Sequence, residues 1–218
     1  PSYEAGINAL VEGKVDFARF GPASYVLARE KDPDISLLAV ESNRGGMMFD
    51  GIICVREDSP IKDIRELEGK LFAFGDPNST IGRYLSQLYL MRHGITADNL
   101  GYYEYLGRHD IVGEAVSKGR FDAGALKVGT FNKLQKKGAA LRVLASFPNI
   151  TKPWIARSGL PEANLRAIRA AMLNLEPGVI NKDKENRPFL PADEGDFAFI
   201  ADAIRVNPEF FVKGGGGE

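Results

Sequence analysis

Cysteine is nearly absent. The 218 residues contain one, Cys54, so no internal disulfide can form and the chain must hold its fold by burying apolar surface. Cys54 lies in the run Gly51-Ile52-Ile53-Cys54-Val55, which reads as core, where a thiol behaves as a small hydrophobe. Histidine is almost as scarce, with only His93 and His109. No zinc spacing, no Gly-x-Ser-x-Gly elbow and no Cys–His arrangement stands out, so neither a metal nor a cofactor is expected, and no catalytic residue is assigned. An excess of one charge is also lacking: 28 basic and 29 acidic residues leave a formal net charge of −1. This balance argues against a nucleic-acid surface and against a polybasic membrane patch. No apolar run approaches the roughly 18 residues of a membrane span.

What remains is a globular composition, 44% hydrophobic and 26% charged, long enough for one large domain or two lobes of about 100 residues each. Helix-like and strand-like segments alternate. Helices are expected over 3–12, 22–30, 63–67, 80–93, 109–118, 129–137, 161–175 and 195–205. Strands are expected over 15–20, 36–41, 50–56, 71–75, 101–105, 121–125, 141–146 and 153–157. Such alternation implies an α/β fold with mainly parallel sheets. Turn-rich stretches near 55–60 and 146–153 suggest that the chain crosses twice between lobes, giving a discontinuous lobe 1 (1–56 and 150–218) and a lobe 2 (57–149). Lobe 1 then begins at a helix, as if its opening strand and helix were missing. The start at Pro1 suggests a processed or trimmed chain. The tail Lys213-Gly214-Gly215-Gly216-Gly217-Glu218 is flexible by composition, a linker or a remnant.

Residues 9–18 resemble residues 115–124. In each, a helix ends at a glycine (Gly13, Gly119), a basic residue follows, and a strand begins around an aspartate (Asp16, Asp122). The offset carries Tyr3 onto His109, both at helix starts, and would set them on facing walls of two similar halves. The equivalence of Asp16 and Asp122 points to a structural task rather than to an acid–base pair.

The run Gly75-Asp76-Pro77-Asn78-Ser79-Thr80-Ile81-Gly82 separates an apolar strand from a helix. A strand, a tight turn, two hydroxyls and a helix start make an anion site, because unpaired N–H groups and the positive helix end point outward there. The run lacks the Gly-Lys-Ser/Thr ending of a nucleotide loop. An ordinary cap, with Asn78 or Ser79 serving its own helix, is the competing interpretation.

The same run resembles the Gly-Asp-Pro-Asn-Ser-Thr-Ser-Gly signature of the phosphate/phosphite/phosphonate substrate-binding proteins of ABC transporters. Val15-Asp16-Phe17-Ala18 with Gly21-Pro22, Asp58-Ser59-Pro60-Ile61 with Leu67, His109, and Phe189-Leu190-Pro191-Ala192 follow in the family's order. The resemblance implies a two-lobe type II periplasmic-binding fold, with a ligand cleft between lobes, and a membrane permease as partner. It implies a periplasmic or other extracytoplasmic location, a small phosphorus oxyanion as ligand, and no catalysis. Anion hydroxyls fall on Ser79 and Thr80, the cleft tyrosine on Tyr3 and the cleft histidine on His109. The third hydroxyl of the signature is replaced by Ile81. A family aromatic falls near Phe49, and the family's acidic residue near Lys152. Lys127 ends a strand on the same side. The two lysines suit a purely anionic ligand and oppose an ammonium group. A sensor domain of the same fold joined to a signalling module, and an enzyme built on this scaffold, are the alternatives.

Overall fold

The computed structural model describes residues 2–180 and 185–212; the expectation for the Gly-rich tail lies outside the described residues. In chain order the elements begin α1 (Tyr3–Val11), β1 (Phe17–Arg19), α2 (Pro22–Lys31), β2 (Ser36–Glu41), β3 (Met48–Arg56) and β4 (Leu71–Phe74). A π-helical turn (Thr80–Leu85) follows and runs into α3 (Ser86–Arg92). Next come β5 (Tyr102–Tyr105), α4 (His109–Ser117), β6 (Ala123–Lys127), α5 (Val128–Lys136), β7 (Leu141–Ile150) and β8 (Pro153–Ala156). The chain ends with α6 (Glu162–Leu173), β9 (Phe189–Leu190), α7 (Ala198–Val206) and a 3-10 segment (Asn207–Phe211). Among the described residues no helix is long and apolar enough to cross a membrane.

The chain forms two compact units, Pro1–Phe49 with Ile150–Ala201, and Asp50–Asn149 with Asp202–Glu218. This division differs from the sequence reading (1–56 and 150–218 against 57–149) at two places. Residues 50–56 go with the second unit because β3 pairs with β6 from Gly51↔Lys127 to Val55↔Ala123. The C-terminal segment goes with it too. Phe210 is fully buried there, with its ring 5.7 Å from that of Phe74 and 6.3 Å from that of Tyr103.

The first unit holds a four-stranded sheet of order β1-β8-β2-β9, with every pairing antiparallel. Helix α6 covers one face through Leu165, which packs with Leu38, Ala156 and Trp154. The second unit holds a five-stranded sheet of order β5-β4-β6-β3-β7. Here β5, β4 and β6 are parallel and β3 runs antiparallel to β6. The expectation of mainly parallel sheets therefore fails in the first unit. Strand β8 lies between β1 and β2 and runs against both, so those two like-directed strands never touch. The second core is built from Ile52, Cys54, Val112, Leu126, Phe131 and Leu134. Each large apolar side chain buried there contributes about 1.5–3 kcal/mol. Burial pushes the Cys54 thiol up to about 12, which leaves it inert at neutral pH.

The internal repeat is present residue for residue. Helix α1 starts at Tyr3 and α4 at His109; β1 starts at Phe17 and β6 at Ala123; α2 starts at Pro22 and α5 at Val128. The helix ends match as well. Gly13 and Gly119 both take left-handed φ, +71° and +69°. Gly13 N donates to Leu10 O at 3.0 Å, and Gly119 N to Val116 O at 2.9 Å. A left-handed glycine that turns its amide back on the last turn is a standard helix stop. The repeated aspartates are structural. Asp16 accepts from Arg157 Nε at 2.8 Å, and Asp122 accepts from the Leu71 amide at 2.8 Å, fastening the start of β4.

Phe210→Ala tests the placement of the C-terminal segment. Loss of this buried ring is expected to lower the unfolding free energy by about 3–5 kcal/mol in urea titration. A loss under about 1 kcal/mol would contradict the packing described.

Candidate anion-binding site

The site is built on one backbone-to-backbone contact. Strand β4 ends at Phe74, and the next residue, Gly75, donates its amide to Gly82 O at 2.8 Å. The two glycines lie so close that a Cβ on Gly82 would sit 2.7 Å from Gly75 Cα and 3.0 Å from Gly75 N. Neither has positive φ, so glycine is required here for close approach and not for backbone conformation. The residues between them form an Asx turn: Asn78 N donates to Asp76 Oδ1 at 2.8 Å and Ser79 N to Asp76 O at 2.9 Å.

Ser79 is the cap residue, extended at φ −83°, ψ 133°, and its Oγ accepts from Gly82 N at 3.0 Å. The capping interpretation is thus realised by Ser79 and not by Asn78. It does not compete with anion binding. A hydroxyl that accepts through a lone pair still carries an O–H to donate. Arg83 N and Tyr84 N both reach Ser79 O, at 3.0 and 3.3 Å, so the helix opens as a π turn and not as the regular helix expected over 80–93. In this widened first turn Ser79 takes three amides, that of Gly82 on its Oγ and those of Arg83 and Tyr84 on its carbonyl. Ser79, Thr80 and Ile81 are all buried at this tip.

The neighbouring strand delivers the next element. Leu106 N donates to Phe74 O at 3.0 Å and Gly107 N to Gly75 O at 3.2 Å, so the loop after β5 is sewn to the base of the tip. Two residues on, His109 opens α4. It is flanked by a forked pair in which Arg108 Nε and Nη2 donate to Asp110 at 3.0 and 2.6 Å. The Arg108 hydrogen bonds hold the Asp110 carboxyl below the usual range, so it remains anionic at neutral pH. Lys127 ends β6 on the other side of β4, is exposed, and precedes the first residue of α5. Parallel strands lie about 4.8 Å apart. The carboxyl ends of β5, β4 and β6 therefore gather His109, Ser79–Thr80 and Lys127 along one edge of the second unit. The three helices that follow start at that edge, and their dipoles favour negative charge there.

Tyr3, Phe49 and Lys152 belong to the first unit. Tyr3 is the first residue of α1, the place that His109 holds in α4, and its side chain is exposed. Phe49 ends the first of the unit's two segments, inside β3, and is half-buried. Lys152 is half-buried just before β8, with its carbonyl accepting from Glu41 N at 3.0 Å. Among the described residues no group of His, Cys, Asp and Glu could hold a metal.

A family model described as "ABC transporter, phosphonate, periplasmic substrate-binding protein" matches residues 1–195. The chain belongs to this family. Its members are substrate-binding components of transporters, and the fold is of the type II periplasmic-binding class. A probable ABC transporter phosphite-binding protein, PhnD1, of Prochlorococcus marinus is 26% identical over 192 residues, 80% of this chain and 64% of that protein. A phosphate-import protein, PhnD, of Mycolicibacterium smegmatis is 29% identical over 133 residues, 56% of this chain and 41% of that one. The chain thus spans less than two thirds of the length of either curated relative. Among solved structures, P. marinus PhnD1 in complex with methylphosphonate has a TM-score of 0.79 at 23% identity, covering 94% of this chain and 83% of that one. XAC2383 of Xanthomonas citri, bound to chloride, has a TM-score of 0.81 at 21% identity, covering 96% and 84%.

The Gly75–Gly82 contact yields a direct test. Gly82→Ala would place a methyl group against Gly75 and 3.1 Å from Ser79 Cβ. It is expected to destabilise the fold by about 1–3 kcal/mol, read from urea denaturation, because backbone must move to admit it. Native stability in this variant would mean that the tip is looser than described.

Proposed function

We propose that the chain is the solute-binding component of an ABC uptake system and takes a small phosphorus oxyanion: a phosphonate, phosphite or phosphate. The ligand's oxygens rest on the tip between Gly75 and Gly82. The Ser79 and Thr80 hydroxyls donate to them, with local backbone N–H groups and the positive end of the helix favouring the charge. His109 donates from the neighbouring loop, and Tyr3 closes from the first unit. Phe49 supplies an apolar wall without a phenol, and Ile81 one donor fewer than the family signature. Lys127 and Lys152 add positive charge, which favours a ligand without an ammonium group. Hinge closure on the ligand presents a new surface to a membrane permease, and differential affinity for the closed form is the switch. The protein works in the periplasm, and it binds rather than transforms its ligand.

The observation that carries this reading is the tip itself: two glycines in backbone contact that hold two buried hydroxyls at a helix start. Membership of the phosphonate-binding family supports it. Isothermal titration against phosphate, phosphite, methylphosphonate and 2-aminoethylphosphonate is the test. Saturable binding of at least one of the first three is expected, with 2-aminoethylphosphonate the weakest. Thr80→Ala should weaken binding by about 1.5–3 kcal/mol, the range for a hydrogen bond to a charged group. A folded protein that binds none of the four would refute the proposal.

A further inference from the structure

The end of the second unit grips the same tip from behind. Arg83 follows Gly82 directly, and its Nη1 turns back to donate to Pro77 O at 2.9 Å, inside the turn that carries Ser79. Its guanidinium carbon lies 5.0 Å from the Tyr84 ring centroid and 5.6 Å from that of Phe211. Its Nε is buried without a hydrogen-bond partner among the described residues. The side chain is thus held by a carbonyl and two rings.

Phe211 is 37% exposed, and ring contacts hold it from one side. Its ring lies 5.2 Å from that of Phe210 at 89°, and Phe210 packs on Phe74, the residue before Gly75. Four residues earlier, Asn207 Nδ2 donates to Gln87 Oε1 at 2.7 Å, and Gln87 Nε2 donates to Tyr105 OH at 2.7 Å. Asn207 and Gln87 are buried, and Tyr105 lies against Phe74 with centroids 5.4 Å apart. The contacts close a ring: Phe74, the tip, Arg83, Phe211, Phe210 and Phe74 again. The tip has no side chain at either base glycine to brace it. The far side of the Asp76–Asn78 turn is braced by Arg83, and Arg83 is set by the C-terminal segment.

Taking the proposed anion site as given, we infer that Arg83 is a positioning residue for it, oriented by the ring of Phe211. Arg83 acts through the Pro77 carbonyl and the shape of the turn. A planar fork lying over ring faces can do this; a lysine ammonium at the same place supplies the charge but neither the flat contact nor the rigid reach.

The test is calorimetric titration with whichever of phosphate, phosphite and methylphosphonate the native protein binds most tightly, together with thermal melts. Arg83→Lys keeps the charge and is expected to lose roughly 3- to 30-fold in affinity, the range for one cation–π contact. Phe211→Leu should lose affinity over the same range, and Phe211→Tyr, which keeps a ring, should stay within about two-fold of native. The double variant Arg83→Lys/Phe211→Leu should be no weaker than the weaker single variant, because both changes break one contact. Native affinity in Arg83→Lys would overturn the inference by showing that charge alone matters. So would native affinity in Phe211→Leu, or simple additivity in the double variant. Should Phe211→Leu melt early, Arg83→Lys against native decides by itself. A native protein that binds none of the three anions removes the functional reading and this inference with it. Binding by the native protein with no change in the variants removes the inference alone.

Discussion

The backbone of Gly75 touching the backbone of Gly82 is the constraint on which the rest depends. It folds an eight-residue run into a closed turn at the end of a central strand. It places Ser79 where one hydroxyl caps a helix and still carries a proton to donate. It also brings the carbonyl of Gly75 to the amide of Gly107, which ties the loop of His109 to the same point. With side chains at either glycine, the hydroxyls, the opening helical turn and the neighbouring loop would no longer share one edge.

The second organising fact is duplication. Helix, strand and helix recur with the same starts and the same glycine stop, so Tyr3 and His109 hold equivalent positions in two units whose sheets are otherwise wired differently. In the second unit three parallel strands each end in a helix start, and that end collects positive potential from backbone dipoles as well as from Lys127. No strongly basic composition is needed to attract an anion there. A chain of net charge −1 still sets three helix starts and Lys127 along that edge.

Much of this could be seen in the residues alone. Glycines at 13, 69, 94, 119 and 138 marked helix and turn ends because each takes left-handed φ. The paired glycines of the tip bracketed the hydroxyls in plain sight, and the repeat was visible through Gly13 and Gly119. The rest depended on long-range contacts that no local pattern encodes. The register of β3 against β6 moved residues 50–56 into the second unit. The burial of Phe210 drew the last segment there too, although its own sequence, Asn207-Pro208-Glu209-Phe210-Phe211, carries no mark of its partner. The π turn at Thr80 arises because two amides share Ser79 O, and a helical sequence pattern cannot anticipate that. The two-residue strand β9 was too short to read from periodicity and exists only through its pairing with β2.

The most direct measurement is a nitrogen–proton correlation spectrum of the labelled protein during titration with methylphosphonate. The amides of Thr80 and Ile81 should shift saturably and together, along with that of His109, while amides of the distant α5–β7 turn around Gly138 stay in place. Saturable shifts confined to other parts of the chain, with Thr80 and Ile81 unmoved, would contradict an oxyanion seated on this helix tip.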